Sequence, residues 1–125
     1  MTTTNELRGV PERYLGAARP MDALQIHRLM VTARALEERL IKMSKSSDGY
    51  FWIGGPGEEA FAIPLGLLVD KGEGLDHDFL HLHYRSSAIL LAMGMDPKDA
   101  IRQMASKATD PFTGGRNFIN HFAVK

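Results

Sequence analysis

Apolar residues return every three or four positions between residues 21 and 46: Leu29, Ala33, Leu36, Leu40 and Met43, widened by Ile26, Met30 and Ile41. That period is helical and lays one apolar stripe along one face. Asp22 near the start and Lys42 and Lys45 near the end suit the helix dipole. Arg34 and Glu38 stand four apart, an ion-pair spacing in its less favourable order, and read as a solvated face. The run from Ser44 to Gly49 ends the helix.

Gly57 to Val69 predicts a second helix, with Glu58 and Glu59 in its first turn, where negative charge is favoured. It is apolar nearly all round, which implies burial. Pro64 conflicts with a straight helix, because an internal proline loses a hydrogen bond and clashes with the preceding turn at a cost of ~3 kcal/mol. A kink or a later start is expected. Asp70, Lys71, Gly72, Glu73 and Gly74 make a polar turn. Phe79 to Tyr84 then alternates Leu80 and Leu82 against His81 and His83, the period of a short strand.

Residues 85 to 94 predict a buried third helix closed by Gly94. Asp96 caps a fourth, with Pro97 in its first position, Asp99 in its first turn and an apolar face of Ile101, Met104 and Ala105. Thr109 to Gly115 reads as a loop, and Arg116 to Lys125 has no helical period. The expected fold class is mostly α, about four helices with little strand. Residues 1–19, punctuated by Gly9, Pro11 and Gly16, form an N-terminal arm. A disordered tail and an arm packed on a partner subunit both fit it.

The 125 residues suffice for one ordinary domain. With 44% hydrophobic and 24% charged residues the profile is that of a soluble globular protein. Fifteen Lys and Arg balance fifteen Asp and Glu, so charge points to neither nucleic acid nor membrane. The absence of cysteine excludes disulfides and thiolate chemistry. No apolar run approaches the ~20 residues of a membrane span, and Met1 to Glu12 lacks a signal-peptide core. A cytoplasmic location is expected.

Histidine and carboxylate, the usual zinc ligands, cluster at His77, His81 and His83 with Asp76 and Asp78 alongside. On a helix His83 points away from the other two. On a strand His77 and His83 lie ~20 Å apart. Partly buried, hydrogen-bonded imidazoles are therefore expected in place of a metal site. Ser86 and Ser87 lack the context of a nucleophile elbow. Gly54-Gly55-Pro56-Gly57 before a helix suits an anion, but Glu58 and Glu59 repel one, so capping is preferred there. Tyr84-Arg85 offers a hydroxyl and a guanidinium fork, suited to phosphate or carboxylate, although such a pair is common.

Five motifs hold a meaningful order: Arg34-Ala35-Leu36-Glu37-Glu38-Arg39-Leu40, Gly57-Glu58-Glu59-Ala60, Tyr84-Arg85, Gly94-Met95-Asp96-Pro97, and Gly114-Gly115-Arg116 leading to His121. From about residue 20 to residue 125 the chain resembles the N-terminal part of the alpha-type subunit of thiamine-diphosphate-dependent 2-oxo acid dehydrogenases. The resemblance implies an α/β thiamine-diphosphate-binding parent fold, with residues 20–125 as its N-terminal part. It implies decarboxylation of a 2-oxo acid on thiamine diphosphate and transfer of the acyl group to a lipoyl arm. The cofactor supplies the hard chemistry and the protein supplies position and charge. By position, Tyr84 and Arg85 match the pair at the diphosphate end, and His121 matches a histidine of the active-site wall. Arg116 lies in the matching glycine-arginine loop, with no contact assigned.

The implied partners are a beta-type subunit, further copies of the chain in an oligomer, and a lipoyl-bearing acyltransferase. Tyr50-Phe51-Trp52-Ile53 lacks the histidine that many pyruvate-type relatives carry there, which leans toward a branched-chain or unassigned 2-oxo acid. The family's Gly-Asp-Gly to Asn segment for Mg2+ and diphosphate is not within the 125 residues. Both thiamine diphosphate and Mg2+ are thus expected only in a complete assembly, and this chain alone is expected to be inactive. Two rivals stand beside this reading: a non-catalytic helical subunit-interaction module, and a metal-binding protein using His77, His81 and His83.

Overall fold

The computed structural model describes residues 21–117. The N-terminal arm and His121 lie outside the described residues. Four helices follow in order: α1 Ala23–Lys45, α2 Glu59–Leu68, α3 Ser87–Ala92 and α4 Pro97–Met104. No strand occurs among the described residues, so the mostly α class holds.

Helix α1 begins where Asp22 accepts a hydrogen bond from the Leu24 N–H at 2.9 Å, which caps an amide the helix itself leaves unpaired. Its buried residues are Ala33, Leu36, Glu37, Leu40 and Met43, the stripe the sequence outlined with one carboxylate added. Helix α4 is capped in the same way, Asp96 accepting from the Lys98 N–H at 2.9 Å, with Pro97 supplying a first position that needs no N–H. It buries Ala100, Gln103 and Met104. Gly49 brings the chain back against Met43 and Met104, joining the far end of α1 to α4.

Helix α3 ends as Gly94 predicts. The Gly94 N–H donates to the Leu91 carbonyl at 3.0 Å and the Met95 N–H to the Leu90 carbonyl at 2.9 Å. This paired closure requires a left-handed residue, and Gly94 has φ +106°. Buried Met95 then packs into the same core as Leu90.

Two expectations change, and the later start allowed for α2 is found. Helix α2 starts at Glu59, two residues later than the apolar pattern suggested, after a turn in which Gly57 has φ +104°. Pro64 stays inside it. Burial of α2 is also one-sided: Ala62, Ile63 and Gly66 are buried, whereas Phe61 is 69% exposed and Leu68 is 46% exposed. An apolar sequence thus leaves an apolar face uncovered within this chain. Finally, residues 78–83 have no regular secondary structure and form no strand. Their alternation survives, Leu80 and Leu82 half-buried and His81 and His83 exposed, because Leu82 packs against the helical core and not against a sheet.

The tightest helix crossing sits at Gly66. A Cβ there would lie 2.5 Å from the Ile89 carbonyl oxygen and 2.7 Å from the Ala92 Cβ, so α2 and α3 approach through a gap only hydrogen can fill. Gly66→Ala should therefore destabilise by ~1–3 kcal/mol, the usual cost of overpacking, despite alanine's better helix propensity. Denaturant unfolding checks this; an unchanged or raised midpoint would contradict the close crossing.

Candidate functional site

Glu37 lies on the apolar stripe of α1 and is 3% exposed. One carboxylate oxygen accepts from the Ser87 hydroxyl at 2.6 Å and the other from the Trp52 indole N–H at 3.0 Å. Burying a carboxylate costs heavily unless it is hydrogen-bonded, and these two donors meet that need. Gly54 packs directly on the same carboxylate, leaving no room for a Cβ. One side chain of α1 thus holds the 52–54 segment and the first residue of α3.

The next residue along that segment approaches Arg85. A Cβ on Gly55 would lie 3.2 Å from the Arg85 carbonyl oxygen and 3.3 Å from the Arg85 Cβ. On its other side Arg85 belongs to a tight turn. The Ser86 N–H donates to the His83 carbonyl at 2.8 Å, the His83 N–H to the Ser86 hydroxyl at 3.2 Å, and the Arg85 N–H to His83 Nδ1 at 3.1 Å. The Arg85 backbone is fixed while its side chain remains exposed. The guanidinium carbon stands 4.8 Å from the Tyr84 ring centroid, a cation–π arrangement. Among the described residues no carboxylate pairs with Arg85. Asp78 is engaged elsewhere and accepts from the Asp70 N–H at 2.9 Å. An exposed guanidinium with an adjacent phenol and no counter-ion among the described residues is a donor set that fits a phosphate or carboxylate.

The Gly54–Gly57 turn offers no such site. Glu59 accepts from the Gly57 N–H at 2.9 Å, so the amide at the start of α2 is satisfied by the helix's own carboxylate. The Arg34 fork grips the same carboxylate at 2.7 and 3.0 Å. Arg34 therefore reaches across to α2, and the expected pair with Glu38 on its own helix is not formed. The cross-helix geometry wins because Glu59 is nearly buried and planar fork meets planar carboxylate. The hydrogen bond from Arg34 holds the Glu59 carboxyl below the usual carboxylate range, outweighing burial, with the Gly57 N–H and the Arg34 charge helping. An open groove of about 380 Å³ beside this pair is lined by His27, Met30, Val31 and Ala35 of α1.

The glycine-arginine loop has its own buried carboxylate. Burial pushes the Asp110 carboxyl up, but hydrogen bonds from the Thr113 hydroxyl and from the N–H groups of Phe112, Gly115 and Thr113 outweigh it and hold the pKa low. Asp110 accepts from the Thr113 hydroxyl at 2.6 Å and from the Phe112 N–H at 3.0 Å. Gly115, at φ +78°, closes the loop so tightly that a Cβ would lie 2.6 Å from the Ser106 carbonyl oxygen. Arg116 is turned back on this loop, its Nε donating to the Thr113 carbonyl at 2.8 Å.

The three clustered histidines do not converge. His77 packs over Gly72, and its Nδ1 is buried 3.5 Å from the Asp70 carboxylate without a hydrogen bond, contrary to the hydrogen-bonded imidazole expected. His81 meets Phe79 edge-on, and His83 serves the Arg85 turn. No group of three His, Asp or Glu able to hold a metal ion exists among the described residues. Nor is any described helix long and apolar enough to cross a membrane.

Sequence reasoning missed Glu37 and Asp110. Glu37 carried a readable signal, since it falls four after Ala33 and three before Leu40, on the apolar stripe itself. Asp110 carried the weaker signal of an aspartate three residues before a threonine in a glycine-rich loop.

The chain is similar to the 2-oxoisovalerate dehydrogenase subunit alpha of Bacillus subtilis (strain 168), at 32% identity over 104 residues. The match covers 83% of this chain and 30% of that subunit. That similarity supports the 2-oxo acid dehydrogenase alpha-subunit family. The chain spans less than a third of the length of this alpha-subunit relative. No family model matches the chain, and no solved structure does.

The two lowered carboxyls, Glu59 and Asp110, make the stability of this chain depend on pH. A carboxyl whose folded pKa is lowered contributes stability above its unfolded pKa and loses it as pH falls through the folded value. Stability should decline as pH drops below the ordinary values of 4.5 for Glu59 and 3.8 for Asp110. Glu59→Gln and Asp110→Asn should each be less stable at neutral pH and show a shallower acid decline. Chemical denaturation across pH 2–7 tests this; an acid limb parallel to that of the unchanged chain would remove the assigned contribution.

Proposed function

We propose that this chain is the N-terminal segment of an alpha-type subunit of a 2-oxo acid dehydrogenase. In that reading it contributes to a site where a 2-oxo acid is decarboxylated on thiamine diphosphate and the acyl group passes to a lipoyl arm. The carrying observation is the 32% identity to a 2-oxoisovalerate dehydrogenase alpha subunit over 104 residues. It agrees with the five ordered motifs and with an Arg85 guanidinium that no carboxylate among the described residues neutralises.

Tyr84 and Arg85 would hold the diphosphate end of the cofactor. The fixed Arg85 backbone and exposed fork suit that anion; the satisfied Gly57 amide does not. His121 is proposed for the active-site wall. The cofactor's ylid would supply the carbanion chemistry, and Mg2+ would be held outside these 125 residues. A branched-chain substrate is favoured by the approach segment Tyr50-Phe51-Trp52-Ile53, which lacks histidine. A beta-type subunit, a second alpha-type copy and a lipoyl-bearing acyltransferase are the proposed partners, in the cytoplasm.

A non-catalytic interaction module remains the second reading, favoured by the uncovered apolar side of α2 at Phe61 and Leu68. Both readings predict association. Light scattering should find this chain self-associated or partner-bound, and a clean monomer that binds no apolar dye would count against either.

Arg85 separates the two. In the full subunit assembled with a beta-type partner, Arg85→Ala should weaken thiamine diphosphate binding roughly ten- to hundredfold, the loss of a charged hydrogen bond. The rate at saturating cofactor should fall much less, because the contact serves ground and transition states alike. Unchanged affinity would refute the cofactor role. For this chain alone, calorimetry with Mg2+ present should detect weak binding or none, since an open site with few charged contacts is weak.

A further inference from the structure

We infer that Glu37 is a positioning residue for Arg85, acting through two arms that clamp the Arg85 backbone. The inference rests on the proposed role of Arg85 as a diphosphate ligand. Arg85 lies between two segments, and Glu37 holds both. On one side is Ser87, two residues on, whose hydroxyl donates to Glu37 at 2.6 Å. On the other is Trp52, whose indole N–H donates to the second carboxylate oxygen at 3.0 Å, followed by Gly54 packed on that same oxygen. Gly55 then rests on the carbonyl and Cβ of Arg85.

Glu37 makes no hydrogen bond to Arg85 and reaches it only through Ser87, Trp52 and Gly54. It is 3% exposed, and its oxygens are committed to Ser87 and Trp52. What it fixes is the direction in which Arg85 leaves the backbone. The side chain is long and exposed, so without a fixed origin its fork samples many rotamers and holds an anion poorly. With the origin clamped, the remaining cost of ordering falls on the side chain alone. The other contacts of the turn, Ser86 and His83, constrain Arg85 locally but do not connect it to α1.

Three variants divide the role. Glu37→Ala removes both arms and risks misfolding. Ser87→Ala removes one arm with little change of volume. Glu37→Gln keeps both, because the amide donates to the Ser87 hydroxyl and its oxygen accepts from Trp52. Thiamine diphosphate with Mg2+ is the probe, titrated into the full subunit assembled with its beta-type partner. Trp52, the one tryptophan in this sequence, reports the clamp independently through its emission in this chain alone.

Ser87→Ala should weaken cofactor binding by about tenfold, part of one charge-assisted contact. Glu37→Gln should restore near-native affinity. The Ser87→Ala effect should vanish in an Arg85→Ala background, because there is no fork left to position. A purely structural role predicts another result: a lower melting temperature and altered Trp52 emission, with cofactor affinity of the folded protein within twofold in Ser87→Ala. That result, with Arg85→Ala still weakening binding, would overturn the positioning role and leave the proposed function intact. No loss of affinity in Arg85→Ala would overturn both.

Discussion

A single buried carboxylate organises this segment. Glu37 sits where the helical period demands an apolar residue, and its two buried oxygens are satisfied there by the Ser87 hydroxyl and the Trp52 indole N–H. Removing either donor leaves one buried oxygen without a partner, at a cost of about 1–3 kcal/mol. The requirement runs both ways. It forces the 52–54 segment and the start of α3 to converge on α1, and it forces glycine at 54, where the carboxylate leaves no room for a side chain. The core of Leu36, Leu40, Ile63 and Leu90 supplies the bulk of burial, but an apolar core of that kind tolerates sliding. A carboxylate with two directional donors does not.

Arg34 and Glu59 make a second crossing beside the first, from the same helix to α2. Here the arginine stays half exposed, so the pair is screened and its main effect is orientation. Glu59 is thereby occupied on both sides, by Arg34 and by the Gly57 N–H. The start of α2 is closed to outside anions, whereas the Arg85 guanidinium has no carboxylate partner among the described residues.

The helices were legible because each rests on a local signal: Asp22 and Asp96 as caps, Gly94 as terminator, and the 3.6-residue period of α1. What failed was nonlocal. Phe79 to Tyr84 has a strand's alternation, but a strand exists only with a neighbour to pair with, and no run of residues states whether one will arrive. Arg34 faced two carboxylates, Glu38 nearby and Glu59 across the interface, and sequence spacing reveals only the near one. The apolar side of α2 at Phe61 and Leu68 was read as buried, which within this chain it is not. For the candidate site, Tyr84 and Arg85 were visible as a motif, while the turn and clamp that hold them come from residues far away in sequence. His121 lies outside the described residues.

The separations of the two crossings bear on the order in which the chain assembles. Arg34 and Glu59 are 25 residues apart, and Glu37 and Ser87 are 50 apart. Doubling a loop adds only about 0.6 kcal/mol of closure entropy, so length alone hardly ranks them. Their chemistry does. The Arg34 pair keeps its guanidinium half exposed, whereas Glu37 must lose water at both oxygens before its two donors repay the loss. On that ground the 25-residue closure should precede the 50-residue one, bringing α2 against α1 before Ser87 arrives. Glu37 would then act as a latch, set after the Arg34 crossing has formed.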